Sequence, residues 1–134
     1  MTFSVARDER SAPFFDAAAD GVLLVRRCPN GGRTFAPHVH ACVEHGAECE
    51  WVAAQGKGTL VTWSVDPSPP LDPALATPDG TASIVGIVEL AEGPWMYAAI
   101  VEVDPSTLAV GAPLEVQFVR PGGGEAVPVF APAG

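Results

Sequence analysis

All three cysteines and all three histidines of the chain fall within residues 28–49, "CPNGGRTFAPHVHACVEHGAEC". Thiolates and imidazoles at short spacings are the donors that hold zinc in small ribbons. The segment looks like a zinc knuckle with a piece missing. A structural zinc takes four protein ligands, whereas three plus water is the arrangement of catalytic zinc. Cys42 and His45 are also close enough in sequence for a reactive thiolate, but no third group to orient the pair is evident.

The composition narrows the chemistry further. The chain has 134 residues, enough for one domain with a small appended unit. Hydrophobic residues make up 48% and charged residues 17%, a balance that supports a packed core. The formal net charge is −9. Nucleic acid needs clustered positive charge, so it is disfavoured as a partner, and so is an anionic membrane. The first ten residues, "MTFSVARDER", carry no apolar stretch of signal-peptide type. No apolar run reaches the length of a membrane span. An odd number of cysteines without a secretion signal implies reduced thiols and a cytoplasmic setting.

The elements that must position these residues are short. "SAPFFDAAADG" predicts a helix, with Ser11 as N-cap, Pro13 in the first turn and Gly21 at the stop. Residues 22–27 predict a strand. The Cys/His segment has no periodicity of its own. "CEWVAAQGKG" resumes as a strand and ends at Gly56 and Gly58. In "TLVTWSV", strict alternation places Thr59, Val61, Trp63 and Val65 on one face, with Leu60, Thr62 and Ser64 on the other. Trp51 and Trp63 are expected to fill the core. Residues 66–80 form a proline-rich loop, long enough to be functional or mobile. "ASIVGIVEL" is nearly all apolar and is expected to be buried on both faces. It pairs with "PWMYAAIVEV", and "LEVQFV" and "AVPVF" complete the set. One helix followed by five to seven short strands predicts a mainly β fold ending in a five-stranded oligonucleotide/oligosaccharide-binding (OB) barrel.

Five motifs in order then carry a resemblance over about residues 11–132. They are "PFFDAAADGVLLVRRC", "FAPHVHACVEHG", "EWVAAQGKGTLVTWSV", "VGAPLEVQFV" and "VPVFAP". Together they resemble the zinc-ribbon and OB-fold proteins that associate with acyl-CoA enzymes. The resemblance implies an N-terminal helix and a rubredoxin-like ribbon over residues 1–50, with an OB barrel over 51–134. It also implies a role as a non-catalytic subunit. Such a subunit binds acyl-CoA and supports a thiolase-like enzyme or an aldolase of steroid side-chain degradation. An OB module for nucleic acid and a small zinc-dependent enzyme are the alternatives.

Beside the family pattern of two Cys-x-x-Cys pairs, Cys28 keeps the first position and Cys42 the third. Gly31 replaces the second cysteine and His45 the fourth. The ribbon is therefore expected to be degenerate and metal-free. Zinc on Cys28, Cys42 and His45 is the alternative, with Cys49, His38 or His40 as a further donor. Basic residues are scarce, so Arg26, Arg27, Arg33 and Lys57 are the candidates for the phosphates of an acyl-CoA. Phe14, Phe15, Trp95 and Phe130 are the candidates for a partner interface, because interface centres favour aromatics over charge.

Overall fold

The computed structural model describes residues 5–70 and 72–133. Helix α1 spans Ala12–Ala19. Strands β1 (Leu24–Arg27), β2 (Thr34–Phe35) and β3 (Glu50–Ala53) form a small antiparallel sheet in the order β2-β1-β3. Strands β4 (Lys57–Asp66), β5 (Ser83–Leu90), β6 (Trp95–Ile100), β7 (Pro113–Val119) and β8 (Val127–Pro132) close a barrel in the order β4-β5-β6-β8-β7. In that barrel β6 and β8 run parallel while the other pairs are antiparallel. Both the order and the single parallel pair are those of an OB barrel. The expected mainly β architecture, with one helix ahead of a five-stranded barrel, is the one observed.

The helix starts by a different device from the one the sequence suggests. Ser11 makes no side-chain cap to α1. Its hydroxyl accepts from the Asp8 N–H at 3.0 Å, and its own N–H donates to Asp8 Oδ1 at 2.8 Å. This reciprocal pair closes the turn one step upstream. Arg7 then bridges Asp16 of α1 and Glu125 of the β7–β8 connection, which ties the N-terminal segment to the barrel.

One apolar core joins ribbon and barrel. Leu23 and Val25, at and just before β1, are buried with Leu60, Ile84, Val88, Leu90, Ile100, Leu114 and Phe130. The expected division at residues 50 and 51 falls inside β3, whose pairing partner is β1 rather than a barrel strand. Strict alternation in β4 fails for a physical reason. The β4–β5 register shifts between Leu60 and Thr62, a bulge at Val61. Leu60 faces inward at 1% exposure, and Trp63 packs on the same core. Thr59 thus shares its face with Thr62 and Ser64 instead of with Trp63.

The long connection after β4 is pinned rather than free. Asp72 accepts from the Ala74 N–H at 2.8 Å and from the Gly122 N–H at 2.7 Å, stapling this loop to the β7–β8 connection. These two bonds hold the Asp72 carboxyl below its ordinary range. From the same loop Leu75 packs on Val129 and Ala131, covering the outer side of β8.

Gly58 is required where β4 meets β5. A Cβ there would stand 2.5 Å from the Glu89 carbonyl oxygen and 2.7 Å from a Val88 methyl. Gly58→Ala is expected to cost about 1–3 kcal/mol, because backbone cannot yield as a side chain does. Urea titration of the purified chain measures it, and an unchanged midpoint would refute the close approach.

Candidate functional site

The two knuckles of the ribbon share one backbone pattern. At the first, the Cys28 N–H donates to the Arg33 carbonyl and the Gly32 N–H donates back to the Cys28 carbonyl, each at 2.8 Å. At the second, the Cys42 N–H donates to the Ala47 carbonyl at 3.0 Å and the Gly46 N–H to the Cys42 carbonyl at 2.8 Å. Gly32 (φ 71°) and Gly46 (φ 65°) occupy equivalent left-handed positions that a side chain would strain. The fold of the first knuckle therefore survives the glycine at position 31.

This backbone brings Cys28, Cys42 and His45 together. Their ligand atoms all lie within 4.8 Å of one another. The His45 Nδ1 is 3.5 Å from the Cys28 Sγ and 3.5 Å from the Cys42 Sγ. In a tetrahedral zinc site the sulfur-to-nitrogen edge is about 3.5 Å, from bond lengths of about 2.3 and 2.0–2.1 Å. The trio therefore fits a zinc-class ion. Cys49, His38 and His40 lie outside it. Cys49 is buried among Phe35 and the other two cysteines. His40 Nδ1 instead lies 3.4 Å from an Arg26 nitrogen.

The thiols differ in the same sense. Burial pushes Cys42 up, but contacts from His45, two backbone N–H groups and the Cys28 thiol outweigh it and bring Cys42 down to about 7. Burial pushes Cys49 up, and the neighbouring Cys28 and Cys42 add to the rise. Cys42 is thus the more readily ionised of these two thiols. All three cysteines are unpaired with one another.

The four basic residues picked from the sequence do not form one cluster. Arg26 requires a correction. It is 5% exposed and stacks 3.6 Å over the Trp51 ring, donating to the Cys49 carbonyl at 2.9 Å. It is a strut between β1 and the 40–49 loop, closed to any phosphate. Trp51 accordingly serves as its platform, half-buried, and leans on Phe14. Arg27 pairs with Glu50 on the exposed side of the ribbon. Lys57 opens β4, opposite Glu115. Arg33 alone faces a groove.

That groove, of about 660 Å³, separates the ribbon from the β5–β6 turn. Arg33, His38 and Val39 line one side, Glu92 and Trp95 the other. Arg33 is half-exposed and pairs with Glu44 at 3.0 Å. Glu92 Oε2 accepts from the Gln55 N–H at 2.9 Å, while Oε1 is enclosed without a partner. Glu92 carries no sequence signal, and His38 is signalled only as a possible metal donor. They meet only because the ribbon folds back on the barrel.

The aromatic candidates also divide. Phe130 is corrected outright: it is fully buried inside the barrel and reaches no partner. Phe14 and Phe15 are half-buried, with their rings edge to face at 5.4 Å. Trp95 is 53% exposed, its indole N–H donating to Glu89 at 2.8 Å. The sequence reading missed its neighbours. Tyr97 (75% exposed) and Val85 (50%) lie on the same outer face of β5 and β6, contrary to the expectation that β5 is covered on both sides. Ile87 stands opposite Tyr97 and Ala99 opposite Val85. The alternation of "PWMYAA" carried the signal for Trp95 and Tyr97.

A knuckled ribbon packed on an OB barrel defines a ribbon–barrel class of protein. Residues 51–119 match the family described as ChsH2, C-terminal OB-fold domain. The chain belongs to that family of OB-fold proteins. It is similar to a chain of the Ltp2–ChsH2 (DUF35) aldolase structure, with 27% identity and a TM-score of 0.80 over 97% of this chain and 99% of that one. A DUF35-family protein of unknown function from Sulfolobus solfataricus shares the fold, with 13% identity and a TM-score of 0.57 over 81% and 77% of the two chains. A probable enoyl-CoA hydratase alpha subunit of Thermomonospora curvata is 29% identical over 125 residues. That match takes in 92% of this chain but 37% of the relative, so the chain spans little over a third of its length. Among the described residues no helix is long and apolar enough to cross a membrane.

Proposed function

We propose that this chain is a non-catalytic accessory subunit of an acyl-CoA enzyme of thiolase-like, aldolase or hydratase type. The observation that carries the proposal is the end-to-end likeness to a chain of the Ltp2–ChsH2 aldolase. The hydratase alpha subunit points to the same acyl-CoA chemistry. Two surfaces divide the work. The outer face of β5 and β6 docks the enzyme, and the groove beside Arg33 receives the nucleotide end of the acyl-CoA. Trp95 offers a face on which a base can stack, and Arg33 and His38 offer donors to phosphate. A cytoplasmic setting fits the unpaired cysteines.

A nucleic-acid role is weaker on the same face. Neither β5 nor β6 contains a lysine or arginine, so the aromatic platform lacks the cations that track a phosphate backbone. The test is co-expression with a thiolase-like or aldolase enzyme from the same source. A stoichiometric complex that binds acyl-CoA is expected. A chain that elutes alone and leaves acyl-CoA unbound overturns the proposal.

Within such a complex, Arg33→Glu is expected to weaken acyl-CoA binding about tenfold at low salt, and less as salt rises. Lys57→Glu should change it far less, because Lys57 does not line the groove. Calorimetric titration compares the two, and equal affinities for wild type and Arg33→Glu would exclude the groove.

A further inference from the structure

We propose that Cys28, Cys42 and His45 hold one thiophilic divalent cation of the zinc class through three ligands, with the fourth position filled by a small donor from outside the chain. The missing cysteine argues for an empty ribbon, but the folded trio argues for a different kind of site. Both knuckle turns are intact, and the two thiols and the imidazole bring their ligand atoms within 4.8 Å of one another. His45 Nδ1 stands at the tetrahedral edge length from each of them.

Gly31 and His45 read as a matched pair. A Cβ on residue 31 would come within 2.9 Å of His45 Cε1. The imidazole thus leans into the room that a side chain at 31 would need. A side chain at 31 would push the ring at 45 aside, whereas glycine leaves it where it stands. The cost is the fourth ligand, since Gly31 presents only exposed backbone on that side. Cys49 does not make up the loss, because its sulfur is not among the converging atoms. The site therefore has three protein ligands and an open fourth position. Its preferred fourth donor is a soft or anionic small molecule such as a thiol or azide, which completes the coordination without displacing a protein ligand.

Cobalt(II) is the probe, because its visible bands report coordination number and donor type. The full-length chain, purified without chelator and reduced, is titrated with cobalt(II). One cobalt per chain, with thiolate-to-metal absorption, is expected. Adding azide or 2-mercaptoethanol should then shift the visible bands of the wild type. The double variant Gly31→Cys/His45→Cys should bind cobalt and leave its bands unmoved by either addition. Cys49→Ser should behave as wild type. Uptake well below one cobalt per chain, or the absence of thiolate absorption, overturns the site. Wild-type bands indifferent to both additions, or altered by Cys49→Ser, overturn the open position. The wild-type and Cys49→Ser spectra decide the matter even where the double variant does not fold.

Discussion

Phe130→Ala is expected to destabilise the chain by about 3–5 kcal/mol, the range for removing a large aromatic from a packed interior. Phe130 is fully buried and sits in β8 between β6 and β7, opposite Ile100 and Val116. Its carbonyl accepts from the Val101 N–H at 2.8 Å, so the strand cannot shift to fill the void. Leu75, packed on Val129 and Ala131, blocks relaxation from the outside. The measurement is the free energy of urea unfolding, with Phe130→Leu as a milder companion that keeps most of the volume. An interface role would produce the opposite pattern, unchanged stability with a lost partner. A loss under about 1 kcal/mol would mean the barrel interior collapses around the truncation.

Phe130 also marks where sequence pattern stops being informative. In "VPVFAP" a lone aromatic reads as a candidate for an interface, which favours aromatics. Strand β8 is covered on both sides, by the barrel interior and by the 66–80 loop, so its alternation is masked. The same limit applies to Arg26. A scarce arginine reads as a phosphate ligand, and only the β1–β3 register, Arg26 opposite Trp51, reveals a buried stack. The bulge at Val61 has no local cause that alternation detects, yet it decides which residues of β4 face the core.

What was legible rested on local chemistry. Glycine, proline and alternating apolar residues marked the helix and the barrel strands in their correct order, while the ribbon was implied by the family resemblance. The trio of Cys28, Cys42 and His45 was readable through the family resemblance, and the structure brings its ligand atoms together. The groove was not, since Arg33 and Trp95 are far apart in sequence and meet only through packing.

The second large effect concerns docking. Tyr97→Arg is expected to weaken binding of the proposed partner enzyme by about 30-fold or more, the loss of a central aromatic anchor. Val85, Ile87, Tyr97 and Ala99 form an uncharged outer face, with Glu89 holding Trp95 at its margin. An exposed apolar face of this kind is uncommon on a chain that works alone. A second copy is a poor occupant, because each copy carries a net charge of −9 and acidic margins would meet. An enzyme surface with an apolar centre and basic margins answers both features. Tyr97 is three-quarters exposed, so the variant should unfold at the wild-type urea midpoint. Val110, equally exposed but on a separate loop, supplies the control: Val110→Asp should leave the affinity unchanged. Phe15→Ala separates the two candidate surfaces. If it abolishes the complex while Tyr97→Arg does not, helix α1 is the docking element and the barrel face is not. If the chain dimerises and Tyr97→Arg returns it to a monomer, the face belongs to a second copy.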